Sequence, residues 1–336
     1  MTDGPLKERI TIYEVAAKAG VSLATVSRVI NNHQNVTEKT RKKVQKAIEE
    51  LGYRPSGLAK ALATSKTTNI GVIIPSANYV FVANMLNGIT KTAREYGYAI
   101  TLFVTSHEKD EALQAIDKLI TSHVDGAIIF DDELEEEDVM QIVGYQVPVV
   151  VVNNRIEDEK KVGCITFGYE HTLREMIKDY LNRGDKKMYF LTIKDNPGRL
   201  LERLQRSFVN THKAANREYD ILLTEDSYSM TYEKFTDFFK ETRRGFFVCH
   251  RDSPAAAVMN AAKENGLRIP EDVEILSLIG TRYAKILRPR VSNMFLNMNE
   301  VGETAMNMLR DMLNGETYPR RIKIETEFVP LDTTIN

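Results

Sequence analysis

The sequence predicts a small helical head followed by an α/β body with parallel sheets, and three observations point to that class. Residues 11–32 place apolar side chains at helical spacing on either side of a glycine. From Asn69 onward, short continuous apolar runs alternate with amphipathic stretches. Charge is also unevenly shared. Residues 1–66 hold 12 Lys plus Arg against 6 Asp plus Glu, whereas residues 67–336 are net negative by 8. At 336 residues the chain exceeds one ordinary domain.

In TIYEVAAKAGVSLATVSRVINN, Ile12, Val15 and Ala16 form one apolar stripe and Val26 and Val29 another, with Gly20 at a turn that wants positive φ. This is a helix-turn-helix pattern. Ser22 is the N-cap of the second helix, whose exposed face carries Leu23, Ala24, Ser27 and Arg28. Leu23 and Ala24 suit a thymine methyl, and Arg28 can donate two hydrogen bonds to a guanine in the major groove.

A third helix follows, capped by Thr37, striped by Val44, Ala47, Ile48 and Leu51, and ended by Gly52. Its cations Arg41, Lys42, Lys43 and Lys46 read as phosphate contacts beside a recognition helix, fixing register rather than sequence. After Pro55, SGLAKALATSKTT is too short to hold a helix alone and reads as a linker that orders on DNA. The expected division is a head over 1–54, a hinge over 55–67 and a body over 68–336.

In the body NIGVIIP, AITLFVT, DGAIIF, VPVVVVN, VGCITF, KKMYFLTI, DILLT, GFFVC and VEILSLI are expected strands, separated by amphipathic helices. Continuously apolar strands imply parallel sheets covered on both faces. About ten strands exceed one small sheet, so two similar lobes are expected around a cleft at the carboxyl ends of the strands.

The opening MTDGPLKERI lacks a signal-peptide core and no apolar run approaches a membrane span, so a cytoplasmic protein is expected. Cys164 and Cys249 fall in apolar strands and read as reduced structural thiols. No Walker A, GxSxG, HExxH or GxGxxG motif is present and the six histidines lack partner spacing, so neither an enzyme, nor a metal site, nor a cofactor is expected.

The head motif, with GYRPSGLAKALATSKTTNIGVIIP, VDGAIIF, GLRIPEDVEIL and RPRVSNMFLNMNEVGETAMNML, resembles the LacI/GalR family of transcription regulators over the whole chain, and within it the catabolite control protein A group. The resemblance implies a body like the periplasmic binding proteins. It also implies a homodimer on a pseudo-palindromic operator, expected to act as a repressor. Base readers would be Leu23, Ala24 and Arg28 with Thr25 and Ser27 alongside, and Tyr13 and Asn31 would contact the backbone. The family's hinge helix falls on residues 56–63, where Leu62 would wedge into the minor groove and Ala59 and Lys60 would touch its wall.

For an effector, the resemblance carries Phe81, Arg203 and Asp252 onto pocket positions. It also shows departures: Ile279 replaces an aspartate, Arg206 a glycine and Gly168 another aspartate, so no particular small molecule follows. Where the catabolite control group presents cations to serine-phosphorylated HPr, this chain has Asn299, Asn307 and Asp311, and that phosphoprotein is not expected as a partner. Alternatives are a regulator with no small-molecule effector, constitutive or controlled by a protein, and a cytoplasmic solute-binding protein. The basic head speaks against the last.

Overall fold

The computed structural model describes residues 10–31, 33–54, 67–154, 156, 162–195 and 197–335. The chain divides into two compact units, Met1–Thr68 and Asn69–Asn336.

The first unit holds α1 (Ile12–Ala19), α2 (Leu23–Ile30) and α3 (Glu38–Leu51). Gly20 and Gly52 end α1 and α3 at φ 62° and 64°, a region open to glycine at little steric cost. Ser22 and Thr37 accept from the backbone N–H three residues on, capping α2 and α3. Val15, Ala16, Ala19, Val26, Val29, Val44 and Ala47 form the core, joined by Tyr53, which helical periodicity does not reach because it lies beyond the last turn of α3.

The second unit has two six-stranded sheets. The first lobe contains β1 (Asn69–Ile74), β2 (Ala99–Val104), β3 (Gly126–Ile129), β4 (Val149–Val152), β5 (Val162–Phe167) and β11 (Arg321–Ile324), in the order β11-β5-β4-β3-β1-β2. The second contains β6 (Met188–Ile193), β7 (Tyr219–Thr224), β8 (Gly245–Cys249), β9 (Val273–Ser277), β10 (Ser292–Phe295) and β12 (Glu327–Val329), in the order β12-β10-β9-β8-β6-β7. Every pairing is parallel except β10 with β12. Central strands are buried along nearly their whole length, as continuous apolar runs require.

The helices of this unit are α4 (Val80–Glu95), α5 (Lys109–Thr121), α6 (Glu136–Gly144), α7 (Tyr169–Arg183), α8 (Arg199–Ala214), α9 (Tyr228–Glu241), α10 (Asp252–Glu264), α11 (Arg282–Ile286) and α12 (Met298–Asn314). Strands β10, β11 and β12 add to the nine read from the sequence. They run three or four residues; β11 alternates Arg321 and Lys323 with Ile322 and Ile324, and β10 buries Ser292 and Asn293, so neither shows a continuous apolar run.

The chain passes between lobes three times: after β5, after β10 and after β11. At the first crossing Gly168 donates to Ile324 O at 3.0 Å, and a Cβ there would lie 3.2 Å from Glu325 Cα. Glycine is therefore what lets two crossing segments run side by side. Helices α4 and α12 meet backbone to backbone, since a Cβ on Gly88 would lie 2.1 Å from Asn299 O and one on Gly302 2.1 Å from Met85 O.

Candidate nucleic-acid interface and interlobe cleft

In the head, Leu23, Ala24 and Arg28 are exposed along α2, and Ser27 is half-buried beside them. Thr25 turns toward the cap, its hydroxyl 2.9 Å from that of Ser22. Asn31 donates to Ser27 Oγ at 3.4 Å, and Tyr13 projects from α1 with 68% of its surface exposed. The face is small, hydroxyl-rich and flanked by one guanidinium, which suits close approach to base edges.

The cations of α3 are not equivalent. Arg41 donates to His33 O at 2.8 Å and holds the loop before α3, while Lys46 lies 3.8 Å from Glu50. Lys42 and Lys43 stand exposed. Ala59, Lys60 and Leu62 lie outside the described residues.

In the body, a cavity of about 480 Å³ opens between the lobes at the carboxyl ends of the strands. Tyr79 and the charged and imidazole side chains of the wall follow strands: Tyr79 after β1, His107 after β2, Asp131 and Asp132 after β3, Asp226 after β7, Arg251 after β8. The Tyr79 hydroxyl donates to Asp226 at 3.1 Å and lies 3.1 Å from His107 Nε2. Arg251 is ion-paired with the same Asp226 and lies over the Tyr79 ring. Tyr79 stacks on Phe81 at 5.4 Å, and Phe81 meets Phe130 edge-on at 6.3 Å.

Other bonds span the lobes. Arg199 reaches Glu135 at 2.8 Å, and Arg203 reaches Asn153 at 3.2 Å while pairing with Glu170 at 2.7 Å. Asp132 accepts from the Leu200 N–H at the start of α8, whose own N-cap is a glycine without a side chain. One lobe thus caps a helix of the other.

Burial raises the carboxyl pKa of Asp131 and of Asp132, opposed by the Thr105 hydroxyl at the first and by the Leu200 N–H and Arg203 at the second. Burial pushes His250 down to about 4, so its imidazole is neutral at pH 7, and its Nδ1 has no partner.

Of the residues expected at an effector pocket, Phe81 lines this cavity. Arg203 stands behind the wall, held by Glu170 and Asn153. Asp252 accepts from the Thr281 hydroxyl and takes no part in the wall. Ile279, one of the departures, does line it, whereas Arg206 is exposed on α8 near Glu202. The sequence reading missed Tyr79, His107, Asp131, Asp132 and Asp226. A signal existed: in FDDELEEED and TEDS the first polar residues after an apolar strand fall where α/β sheets place ligands.

Among the described residues no group of three metal-ligating side chains occurs, and no helix is long and apolar enough to cross a membrane. Cys164 and Cys249 are both buried thiols outside any disulfide, and burial raises the Cys249 thiol pKa.

A family model described as periplasmic binding proteins and sugar binding domain of LacI family matches residues 67–331, and one for bacterial regulatory proteins of the lacI family matches residues 11–56. Catabolite control protein A of Priestia megaterium is 32% identical over 319 residues, covering 93% of this chain and 95% of that protein. The HTH-type transcriptional regulator pepR1 of Lactobacillus delbrueckii subsp. lactis is 28% identical over 333 residues, covering 98% and 99%. Among solved structures, the Lac repressor dimer bound to operator and the anti-inducer ONPF aligns with a TM-score of 0.84 at 21% identity, covering 98% of this chain and 100% of that one. A complex of the transcriptional regulator CelR with cellobiose aligns at 0.67 and 23% identity, covering 97% and 100%. At such identities these two alignments speak to the fold alone. With one family model spanning most of the body, another the head, and a 32% identical relative along nearly the full length, the chain belongs to the LacI family of bacterial regulatory proteins.

Proposed function

We propose that this LacI-family DNA-binding transcription regulator works as a homodimeric repressor on a pseudo-palindromic operator. Residues 1–54 form the reading head, 55–67 the hinge and 68–336 the effector and dimerisation body. The observation that carries the reading is the exposed Leu23, Ala24 and Arg28 face on a helix whose start is pinned by Ser22, in a head with a net positive charge. Leu23 and Ala24 touch thymine methyls, Arg28 reads guanine, Thr25 and Ser27 assist, and Ser22, Tyr13 and Asn31 meet the phosphate backbone. Leu62 enters the minor groove with Ala59 and Lys60 against its wall.

Two-fold symmetry follows from reading two half-sites. It is supported by the unpaired sheet edges, where Leu102 and Val104 on β2 and Leu223 on β7 leave 41%, 45% and 53% of their surface exposed, and by the dimer that the Lac repressor structure contains. Phosphorylated HPr is not a partner in this reading. Asn307 accepts from the Tyr96 hydroxyl, and Asp311 is paired with Arg310, so a phosphate meets an acid at this helix.

Movement of the lobes couples to hinge ordering, so whatever favours one lobe arrangement shifts operator affinity by the same free energy. A second reading, a regulator with no small-molecule effector, is favoured by one observation: side chains of the protein itself already bridge the lobes at Tyr79–Asp226, Arg199–Glu135 and Arg203–Asn153.

The decisive experiment is a mobility-shift titration with palindromes carrying a central CG step against random duplex, repeated with Leu62→Ala. The expected result is selective binding that Leu62→Ala weakens. Equal affinity for random DNA, a monomer at working concentration, or an unaffected Leu62→Ala protein would overturn the reading.

A further inference from the structure

The walls of the interlobe cavity do not balance in charge. Five carboxylates line it, from Glu108, Asp131, Asp132, Asp195 and Asp226, against one guanidinium, from Arg251. That guanidinium is spent on Asp226. Two further cations close to Asp132 are also engaged, Arg199 with Glu135 and Arg203 with Glu170. His250 adds no charge at pH 7, yet its buried Nδ1 is left without a partner.

Beside these acids stand three aromatic rings, with Phe81 in contact with both Tyr79 and Phe130. Carboxylate and aromatic face together select a cation: the ring quadrupole attracts positive charge, and an acid completes its hydrogen bonds. The protein already uses this chemistry in the cavity wall, where the Arg251 guanidinium sits 4.3 Å from the Tyr79 centroid and pairs with Asp226. The cavity holds about 480 Å³, a volume that suits a small metabolite.

We propose that this cavity takes a small cationic ligand, one bearing a primary ammonium or guanidinium group, in preference to a neutral or phosphorylated sugar. A phosphate brought among these acids would meet like charge with no unengaged cation in the wall to receive it. An ammonium would meet acceptors among the acids of the wall, Glu108 and Asp195 included. The inference rests on the reading of the body as an effector domain, but its test does not pass through DNA.

The test is calorimetric titration of the full chain, at physiological salt, with glucosamine, glucose and glucose 6-phosphate, which differ mainly in charge, and with agmatine and spermidine. The expected result is that an amine binds at least about tenfold tighter than the neutral and phosphorylated sugars, one charge-assisted hydrogen bond being worth at least roughly that factor. In the double variant Glu108→Gln with Asp195→Asn, amine affinity should fall by about the same factor while the thermal midpoint shows the fold intact.

Tightest binding by glucose 6-phosphate, equal binding of glucose and glucosamine, no amine binding, or full amine affinity in the folded double variant would each overturn the proposal. Operator binding by the ligand-free protein is measured in parallel. Its absence would defeat the DNA-reading function and leave the titration to judge the ligand class separately.

Discussion

Tyr79, at the head of α4 in the first lobe, has its ring centroid 4.3 Å from the Arg251 guanidinium of the second, and its hydroxyl donates to the Asp226 that pairs with that arginine. One tyrosine therefore joins the lobes by two different forces, a ring face and a hydroxyl. Both partners stand at the carboxyl ends of β7 and β8, so any hinge motion that opens the cleft must break both contacts at once.

Tyr79→Phe removes the hydroxyl and keeps the ring, and should cost the body about 1 kcal/mol in urea unfolding. Tyr79→Ala removes both and should cost about 2 kcal/mol or more, the cation–π contact adding roughly 0.5–2. Small-angle scattering should show Tyr79→Ala with the larger radius of gyration. Identical scattering from Tyr79→Ala and parent would mean that this pair does not hold the lobes.

The contact between α4 and α12 yields a second expectation. A methyl at Gly88 or Gly302 would lie 2.1 Å from a backbone oxygen of the facing helix, Asn299 O or Met85 O, and neither oxygen can swing aside as a side-chain tip could. Gly302→Ala should destabilise by about 3 kcal/mol or more, at the upper end of overpacking costs. Gly97→Ala, with open space around its Cβ but φ at 78°, tests backbone strain without a clash and should cost less. Equal melting of Gly302→Ala and parent would show that the helices separate freely.

These glycines mark where the sequence was legible and where it was not. Strands such as GFFVC and VPVVVV announced themselves because burial on both faces demands unbroken apolar runs. The head was legible because Gly20, Ser22 and Thr37 each have a local job that their chemistry states. Tyr79, Asp132 and Asp226 were not, since their roles come from partners 147 residues away or on another lobe, and nothing in local spacing encodes that. Asp252 shows the converse. It was expected in the pocket, but its carboxylate is taken by the Thr281 hydroxyl and it does not line the cavity.

A third expectation concerns Lys186 and Glu274, whose buried ion pair spans 2.7 Å with side chains only 3% and 2% exposed. Glu274 also accepts from the Tyr180 hydroxyl and the Ile335 N–H, fastening the C-terminal tail to the second lobe. Glu274→Gln should destabilise by about 3–5 kcal/mol, because the lysine is left buried without a counter-charge. Lys186→Met with Glu274→Leu should recover much of that loss. Chemical unfolding of the three variants decides it; a single variant as stable as the parent would mean that water reaches the pair.

In the head, two substitutions should fail in different ways. Arg28→Ala should cost about 1–3 kcal/mol on the best operator and relax sequence preference at one position of each half-site. Lys43→Ala should weaken all duplexes alike and reduce the salt slope by about one contact per head. Fluorescence anisotropy over a salt series separates them. If Arg28→Ala left preference intact while changing the slope, Arg28 would be a phosphate contact, not a base reader.

The pH dependence of body stability follows from His250. Burial lowers its pKa from 6.5 to about 4, so between those values the unfolded chain takes up a proton that the native chain refuses. Stability contributed by the neutral imidazole is therefore complete above pH 6.5 and is lost as pH falls toward 4, by roughly 3 kcal/mol across the window. His212, likewise lowered by burial, acts with the same sign. Asp131, Asp132 and Asp252 act with the opposite sign: their raised pKa values make the native state hold protons that the unfolded state has released, so acidification toward their ordinary range favours folding. The two groups oppose each other as pH falls below 6.5, so the contribution of His250 is read as the difference between parent and variant. As pH falls from 6.5 toward 4, urea midpoints of His250→Gln should therefore drop less, or rise more, than those of the parent, the contributions of His212 and the three acids being common to both. An unchanged pH dependence in His250→Gln would mean that His250, whose Nε2 lies 3.5 Å from Asp226, is protonated in the native cleft, and the neutral imidazole described above would be wrong.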